Sequence, residues 1–379
     1  MIKFSLSLFL VLLFAFQSQS QTIINQEQIA STYNLSRIDE MLQQMQSLDT
    51  SRLDISQQVA LFRNKAALYL KSNYANAREK AIEQLIFSLT LLPENENNIS
   101  QRAELLDQVG EVYDLLRQKE NAKNYFQQAY ELRTKAELKA ELYRSFINLG
   151  MNAYRFGYPL DDAVGLLKKA IQTFEKSTPP TDQARGHYWL ASALNYFADQ
   201  PEQEKASVLD SALHHAFLAK NTYLNLKDSL QLIEANNLLV NILTRIEDSE
   251  KALEISQANL DLIASLESNR GKLAQEYYAT TYSNLARAHE ANGNYPKALE
   301  YSRKQYFEVM GILMNEERTK LAQITEDYRT DKQLDVAEAT AFYASRQVRI
   351  LGFVLAGLGI AFLIAYLIFR QTIQQKKLE

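Results

Sequence analysis

Asn284-Leu-Ala-Arg-Ala-His-Glu-Ala-Asn-Gly293-Asn-Tyr-Pro-Lys-Ala298-Leu-Glu-Tyr-Ser302 carries the organisation of the chain in nineteen residues. Leu285, Ala288 and His289, with Tyr282 before them, recur at helical spacing. Gly293 marks a turn, and Pro296 follows where a second helix begins, a place Pro tolerates. Ala286 and Ala298 stand twelve residues apart on either side of that turn. The pattern returns twice upstream. One unit has Gly110, Tyr113, Ala122, Phe126 and Ala129 with the same spacing; the other has Gly150, Gly157, Ala163 and Ala170 with one residue extra in the turn. Weaker units centre on Ala81, on Ala212 with Ala219, and on Ala252.

These residues resemble a tetratricopeptide repeat. That family places a small residue in a first helix, a turn with Gly, and an Ala in a second helix that packs closely on the first. The resemblance covers roughly residues 53–312 and implies about six helix pairs. The anchor alanines 81, 122, 163, 212, 252 and 298 are spaced wider than the family's usual period of 34, so longer helices or connections are expected. One pair cannot bury its apolar face alone, so neighbours must stack. The expected fold class is all-α: an α-α superhelix of tetratricopeptide-like repeats plus one C-terminal transmembrane helix.

Composition agrees with the helical reading. Gly is 11 of 379 residues and Pro 6, roughly 3% and 2% against usual values of ~7% and ~5%. Five of the prolines (Pro93, Pro159, Pro179, Pro180 and Pro201) fall between periodic runs. With 46% hydrophobic residues the chain can bury a core. Cys is 0, which removes disulfide frameworks, thiolate-ligated zinc and thiol catalysis. A net charge of −4 argues against nucleic acid as a partner.

The two ends predict topology. Residues 1–20 read as a secretory signal peptide: Lys3, an apolar run from Phe4 to Phe16, then small residues at Ser18 and Ser20. Residues 21–52 are expected to supply an N-terminal capping helix. Residues 313–349 are charged and helix-favouring, with Met314, Leu321, Ile324, Tyr328 and Phe342 on one heptad seam that Asp331, Asp335 and Glu338 interrupt. Ile350–Phe369 is a run of 20 residues without charge, long enough to span a bilayer. Residues 370–379 form the expected cytoplasmic tail. The expected localisation is the bacterial inner membrane, single-pass, with the bulk of the chain periplasmic. Gly357, Ala361 and Ala365 lie at four-residue spacing along the span, which predicts a packing face and a homodimer.

The order of segments resembles the periplasmic sensor half of bacterial membrane-bound histidine kinases and related regulators. Leu321-Ala-Gln-Ile-Thr-Glu-Asp-Tyr328-Arg-Thr-Asp-Lys332 looks like that group's pre-membrane helix, and Gln374-Gln-Lys-Lys-Leu-Glu379 like the start of its linker. The output half of that group has no counterpart here: the tail has no His and the chain no Gly-rich nucleotide loop. The expected function is therefore a membrane-anchored periplasmic repeat protein for protein or peptide interaction, or signal sensing through one span. A truncated sensor kinase and a scaffold for an envelope complex are the alternatives.

No enzyme chemistry is expected. His214 and His215 point ~100° apart on a helix, His187 has no second His within reach on its own helix, and His289 occupies a core position. No nucleophile–base–orienter set emerges, so no catalytic, cofactor or metal residue is assigned. Binding residues follow from the register of the repeat resemblance. The candidate groove positions are Arg63, Arg144, Tyr154, Tyr188, Asn195, Tyr196, Asn237, Asn241, Arg245 and Arg287. Guanidinium forks, aromatic faces and amides are the groups that grip an extended peptide. The family's carboxylate clamp is not expected: Asn241 fits one position, but Thr280 stands where a Lys is required.

Overall fold

The computed structural model describes residues 35–315 apart from 73, 75, 158, 201–203 and 268–270, with isolated positions 317, 318, 321, 325, 329 and 332 beyond. The predicted signal peptide, the span at 350–369 with Gly357, Ala361 and Ala365, and the tail lie outside the described residues. Contacts divide the chain into two units, residues 1–313 and 314–379.

The first unit is built from α-helices. They are α1 (Leu35–Gln46), α2 (Ile55–Lys71), α3 (Ala77–Leu91), α4 (Ile99–Leu115), α5 (Lys119–Lys135), α6 (Leu142–Arg155), α7 (Leu160–Gln172), α8 (Pro180–Phe197), α9 (Lys205–Asn225), α10 (Ser229–Arg245), α11 (Ser249–Glu267) and α12 (Gly271–Ala291). Residues 295–315 form a further helix, α13. Among the described residues no strand occurs, and no helix is long and apolar enough to cross a membrane. Paired helices of 13 to 21 residues account for the long spacing of the anchor alanines.

Each helix packs against its neighbours in sequence, most extensively within the pairs α2–α3, α4–α5, α6–α7 and α8–α9; α11 packs on both α10, its partner, and α12, the first helix of the next pair. The small residues are where the pairs close. Ala81, Ala122, Ala163, Ala212 and Ala252 are all 0% exposed. Ala298, in the last helix of the unit, is only half-buried. Gly110, Gly150 and Gly186 let Phe126, Leu167 and Phe174 approach so closely that a Cβ would lie 2.5–2.7 Å from them.

The turns explain why so few glycines suffice. Gly157 and Gly293 adopt positive φ at the ends of α6 and α12. Arg117, Glu137, Lys227 and Glu247 adopt the same left-handed conformation without being Gly. After α4 the Gln118 amide donates to the Tyr113 carbonyl and the Arg117 amide to the Asp114 carbonyl, a Schellman closure. Those hydrogen bonds offset a strain of ~1 kcal/mol that a Cβ brings to this region.

At the N-terminal end α1 places Ile38, Met41, Leu42 and Met45 on one face, at i, i+3, i+4 and i+7. They bury against Val59, Leu61 and Leu68 of α2 and cover the open side of the first pair. A capping box starts α2: Asp54 accepts from the Gln57 amide at 2.8 Å, and the Gln57 side chain accepts from the Asp54 amide at 3.1 Å.

Candidate functional site

The helices α4, α6, α8, α10 and α12 touch one another in sequence as well as their own partners, whereas no two of α3, α5, α7, α9 and α11 make comparable contact. The first helices of the pairs therefore form the inner face of the array. All ten sequence-selected groove residues lie on them: Arg63 on α2; Arg144 and Tyr154 on α6; Tyr188, Asn195 and Tyr196 on α8; Asn237, Asn241 and Arg245 on α10; and Arg287 on α12. Only Tyr196 and Arg287 are exposed; the other eight are half-buried.

Most of these polar groups are engaged with the next repeat. Arg63 pairs with Glu104 of α4 at 2.6 Å. The Arg144 Nε donates to the Tyr143 hydroxyl at 3.0 Å and to Asp182 of α8 at 3.3 Å, and Tyr143 itself donates to Asp182 at 2.7 Å. Burial, reinforced by Asp182, pushes the Tyr143 hydroxyl up to about 12. Asn195 donates to Asn241 at 3.3 Å and accepts from Arg245 at 2.8 Å, while Arg245 also pairs with Asp199. Asn237 is a hub: its Oδ1 accepts from Asn284 at 3.0 Å, Asn259 at 3.1 Å and Thr281 at 3.2 Å. Arg287 donates to Asn284. These groups form a ladder that sets the spacing of the repeats and presents a fixed polar surface.

The register selected nothing on α4, yet besides Glu104 it carries two further rungs. Glu111 pairs with Arg185 of α8 at 2.7 Å, and Arg185 also donates to Asn148 of α6 at 2.8 Å. Asp114 pairs with Arg155 at the end of α6. Arg155 also lies 4.8 Å over the Trp189 ring. Trp189 in turn meets Tyr188 at 5.0 Å and Tyr154 at 6.2 Å, and Tyr154 meets Tyr196 at 6.5 Å. The result is an aromatic shelf with one arginine on it and Tyr196 standing 60% exposed at its edge. Further along, Glu234 of α10 accepts from the Tyr277 hydroxyl at 3.1 Å, and burial pushes this carboxyl up.

Near the N-terminal end of the same face, α2 and α4 border a hollow of about 360 Å³. Leu70 and Leu115 flank it and remain 40% and 45% exposed. Arg63, Lys71 and Glu111 supply charge around it. An apolar pit with charged edges suits one apolar side chain of a segment whose backbone crosses the helices.

The histidines behave differently from the within-helix reading in one respect. His187 of α8 has no partner on its own helix, but pairing with α9 brings His215 to it, Nδ1 to Nδ1 at 3.1 Å. One ring nitrogen donates and the other accepts. Burial pushes both below the usual histidine range, His215 to about 4, with His187 and His214 adding to the effect. The pair is therefore neutral at pH 7. His289 is 8% exposed and lies 5.5 Å from the Tyr301 ring. Among the described residues, no group of three or more His, Asp or Glu is placed to hold a metal ion.

Residues 279–304 match the family model of the tetratricopeptide repeat, across the α12 turn and into α13. The chain is a tetratricopeptide-like all-helical repeat protein. Its fold resembles that of the apo form of RapI, with a TM-score of 0.51 at 14% identity, over 72% of this chain and 93% of RapI. A Rap protein complexed with competence and sporulation factor aligns with a TM-score of 0.49 at 18% identity, over 74% and 81% of the two chains. BtubC from P. vanneervenii aligns at 0.47 and 13% identity, over 69% and 92%. No curated protein matches the chain in sequence. The repeat match covers one unit; the structure extends the helix-pair architecture on its N-terminal side.

Proposed function

We propose that this protein binds an extended segment of a protein partner along the inner face formed by α2, α4, α6, α8, α10 and α12, and that its role is binding rather than catalysis. The observation that carries this is the hollow between α2 and α4, where Leu70 and Leu115 stay exposed on a face most of whose polar groups are engaged in inter-repeat contacts. Exposed apolar groups beside fixed charges make a recognition surface of the kind that anchors a partner's side chain. The shelf around Trp189 supplies a second anchor point farther along.

The sequence extends this to location. An export signal at residues 1–20 and an uncharged run at 350–369 support an array held in the periplasm by one span of the inner membrane, and a signal passed through that span. Photo-crosslinkers at Leu115 and Tyr196 are expected to capture a partner in cells, while one at Glu131, exposed on α5, captures none. Equal capture at all three positions overturns the inner-face reading. Protease added to intact spheroplasts is expected to digest the array; an array protected until lysis overturns the periplasmic placement.

Small residues support self-association of the span. Gly357, Ala361 and Ala365 allow close helix approach in lipid, where van der Waals packing drives association. A membrane two-hybrid signal from residues 340–379 is expected to fall when Gly357→Ile and Ala361→Ile are introduced together. An unchanged signal removes this packing face.

A further inference from the structure

Every carboxylate on α4 and α8 has an arginine against it. Glu104 pairs with Arg63, Asp107 with Arg133, Glu111 with Arg185, Asp114 with Arg155, and Asp182 with Arg144. Glu234 is the one carboxylate of α10, and among the described residues it forms no ion pair. The cation whose field reaches it is Arg155, which is already paired with Asp114 and lies over Trp189. A carboxylate drawn partly out of water without a countercharge costs free energy that a neutral Gln would avoid. Gln would even keep an acceptor for Tyr277. The protein's own packing therefore gives no reason for a charge at the half-buried Glu234.

The group is also within reach of a ligand. Its Oε1 accepts from the Tyr277 hydroxyl at 3.1 Å. Its Oε2 accepts from no described residue and, unlike the Oδ1 atoms of Asp107 and Asp114, is not sealed from solvent. Phenol rings from three helices gather near it. Tyr188 of α8 and Tyr223 of α9 pack in one cluster with Ala184, Ala219 and Ala235, and Tyr277 comes from α12. Burial pushes all three hydroxyls up, and the charge of Glu234 adds to the effect on each. An unneutralised carboxylate beside aromatic rings attracts a cation, because the ring faces are negative as well.

We propose that Glu234, flanked by Tyr188 and Tyr277, seats a cationic side chain, lysine or arginine, of the segment that crosses the inner face. Oε2 accepts a hydrogen bond from the ammonium or guanidinium group, and the two rings line its flanks. This rests on the inner-face reading and adds the chemistry of one ligand position to it. The hollow between α2 and α4 takes an apolar side chain, and Glu234 takes a charged one toward the C-terminal end of the array.

Panning of phage-displayed random linear peptides on the purified full chain tests this. Peptides selected on the wild type are expected to share a Lys or Arg at one position, and the commoner of the two names the cation. Replacing that residue by Ala, or Glu234→Gln in the protein, should each weaken binding about tenfold, the scale of one charge-assisted hydrogen bond. The two changes together should weaken it no further than either alone. Glu234→Gln should leave the urea midpoint of the free protein unlowered, since no ion pair is lost. Glu234→Lys should turn selection toward peptides with Asp or Glu at that position. Selected peptides without a shared cation, or cationic ones bound equally by wild type and Glu234→Gln, overturn the proposal. If Leu115→Ser weakens those same peptides, the inner-face reading survives without it. Peptides insensitive to both variants, or no selected peptide at all, overturn both.

Discussion

Arg133→Met is expected to destabilise the array by about 3–5 kcal/mol at neutral pH, the range observed when one member of a buried ion pair is removed. Arg133 is 0% exposed, although it sits in a helix that otherwise reads as polar. Its Nη2 pairs with Asp107 of α4 at 2.6 Å, its Nη1 donates to Ser145 of α6 at 2.8 Å, and its Nε lies 3.5 Å from Glu141. Glu141 accepts from Ser100 of α4 at 2.7 Å. One guanidinium thus ties the second pair to the third. Met fills a similar volume, so the loss is electrostatic: Asp107, 5% exposed, is left without its countercharge.

That origin gives the loss a pH dependence of definite sign. Burial already pushes the Asp107 carboxyl above its ordinary value, against the pull of Arg133. Without Arg133 it rises further. A group whose folded pKa exceeds its unfolded one stabilises the fold most below the unfolded value, near 4. That contribution is lost as pH rises through the folded value. The gap between wild type and Arg133→Met should therefore be widest at pH 8 and narrow on acidification toward pH 5. Urea unfolding at the two pH values measures it, and a gap independent of pH refutes the ion-pair explanation. The double variant Asp107→Leu with Arg133→Met should recover most of the loss, because both buried charges are then gone.

Arg133 also shows where sequence reading stops. The anchor alanines, the turn glycines and the inner-face helices were legible because each is a local rule: a small residue where helices cross, a left-handed turn, a 3.6-residue period. All ten selected groove residues lie on the first helices of their pairs for that reason. Whether such a side chain is free depends on its neighbour in the next repeat. Arg63 meets Glu104, Arg245 meets Asn195 and Asp199, and Asn237 meets Asn259, Thr281 and Asn284. These partners lie 22 to 50 residues away, and no period encodes them. His187 and His215 are 28 residues apart and invisible as a pair until α8 and α9 close on each other. Glu111, Asp114 and Arg185 were missed likewise: each looks like an ordinary helix-surface charge.

Gly110 and Phe126 allow the packing rule of the array to be tested by a reversal of sign. Phe126 of α5 is 0% exposed and packs on Ala122 and Met151, with Tyr113, Leu149 and Trp189 around it. A Cβ on Gly110 would lie 2.5 Å from its Cε1 and 2.7 Å from its Cδ1. The ring is hemmed in by the next pair and has little room to retreat. Gly110→Ala is therefore expected to destabilise the protein by about 1–3 kcal/mol, the usual result of overpacking a core. It does so although Ala is favoured over Gly by ~1 kcal/mol inside a helix. Phe126→Ala alone should destabilise by about 3–5 kcal/mol through lost burial and a residual cavity. In the Phe126→Ala background the ring that opposed the Gly110 Cβ is absent. Gly110→Ala should then stabilise, by up to ~1 kcal/mol from helix propensity. The coupling between the two sites falls in the range of about 0.5–3 kcal/mol expected for residues in contact. Urea midpoints of the wild type, both single variants and the double variant decide it. If Gly110→Ala changes stability equally with and without the Phe126 ring, contact between the two does not explain the glycine, and close approach of paired helices loses its clearest example in this chain.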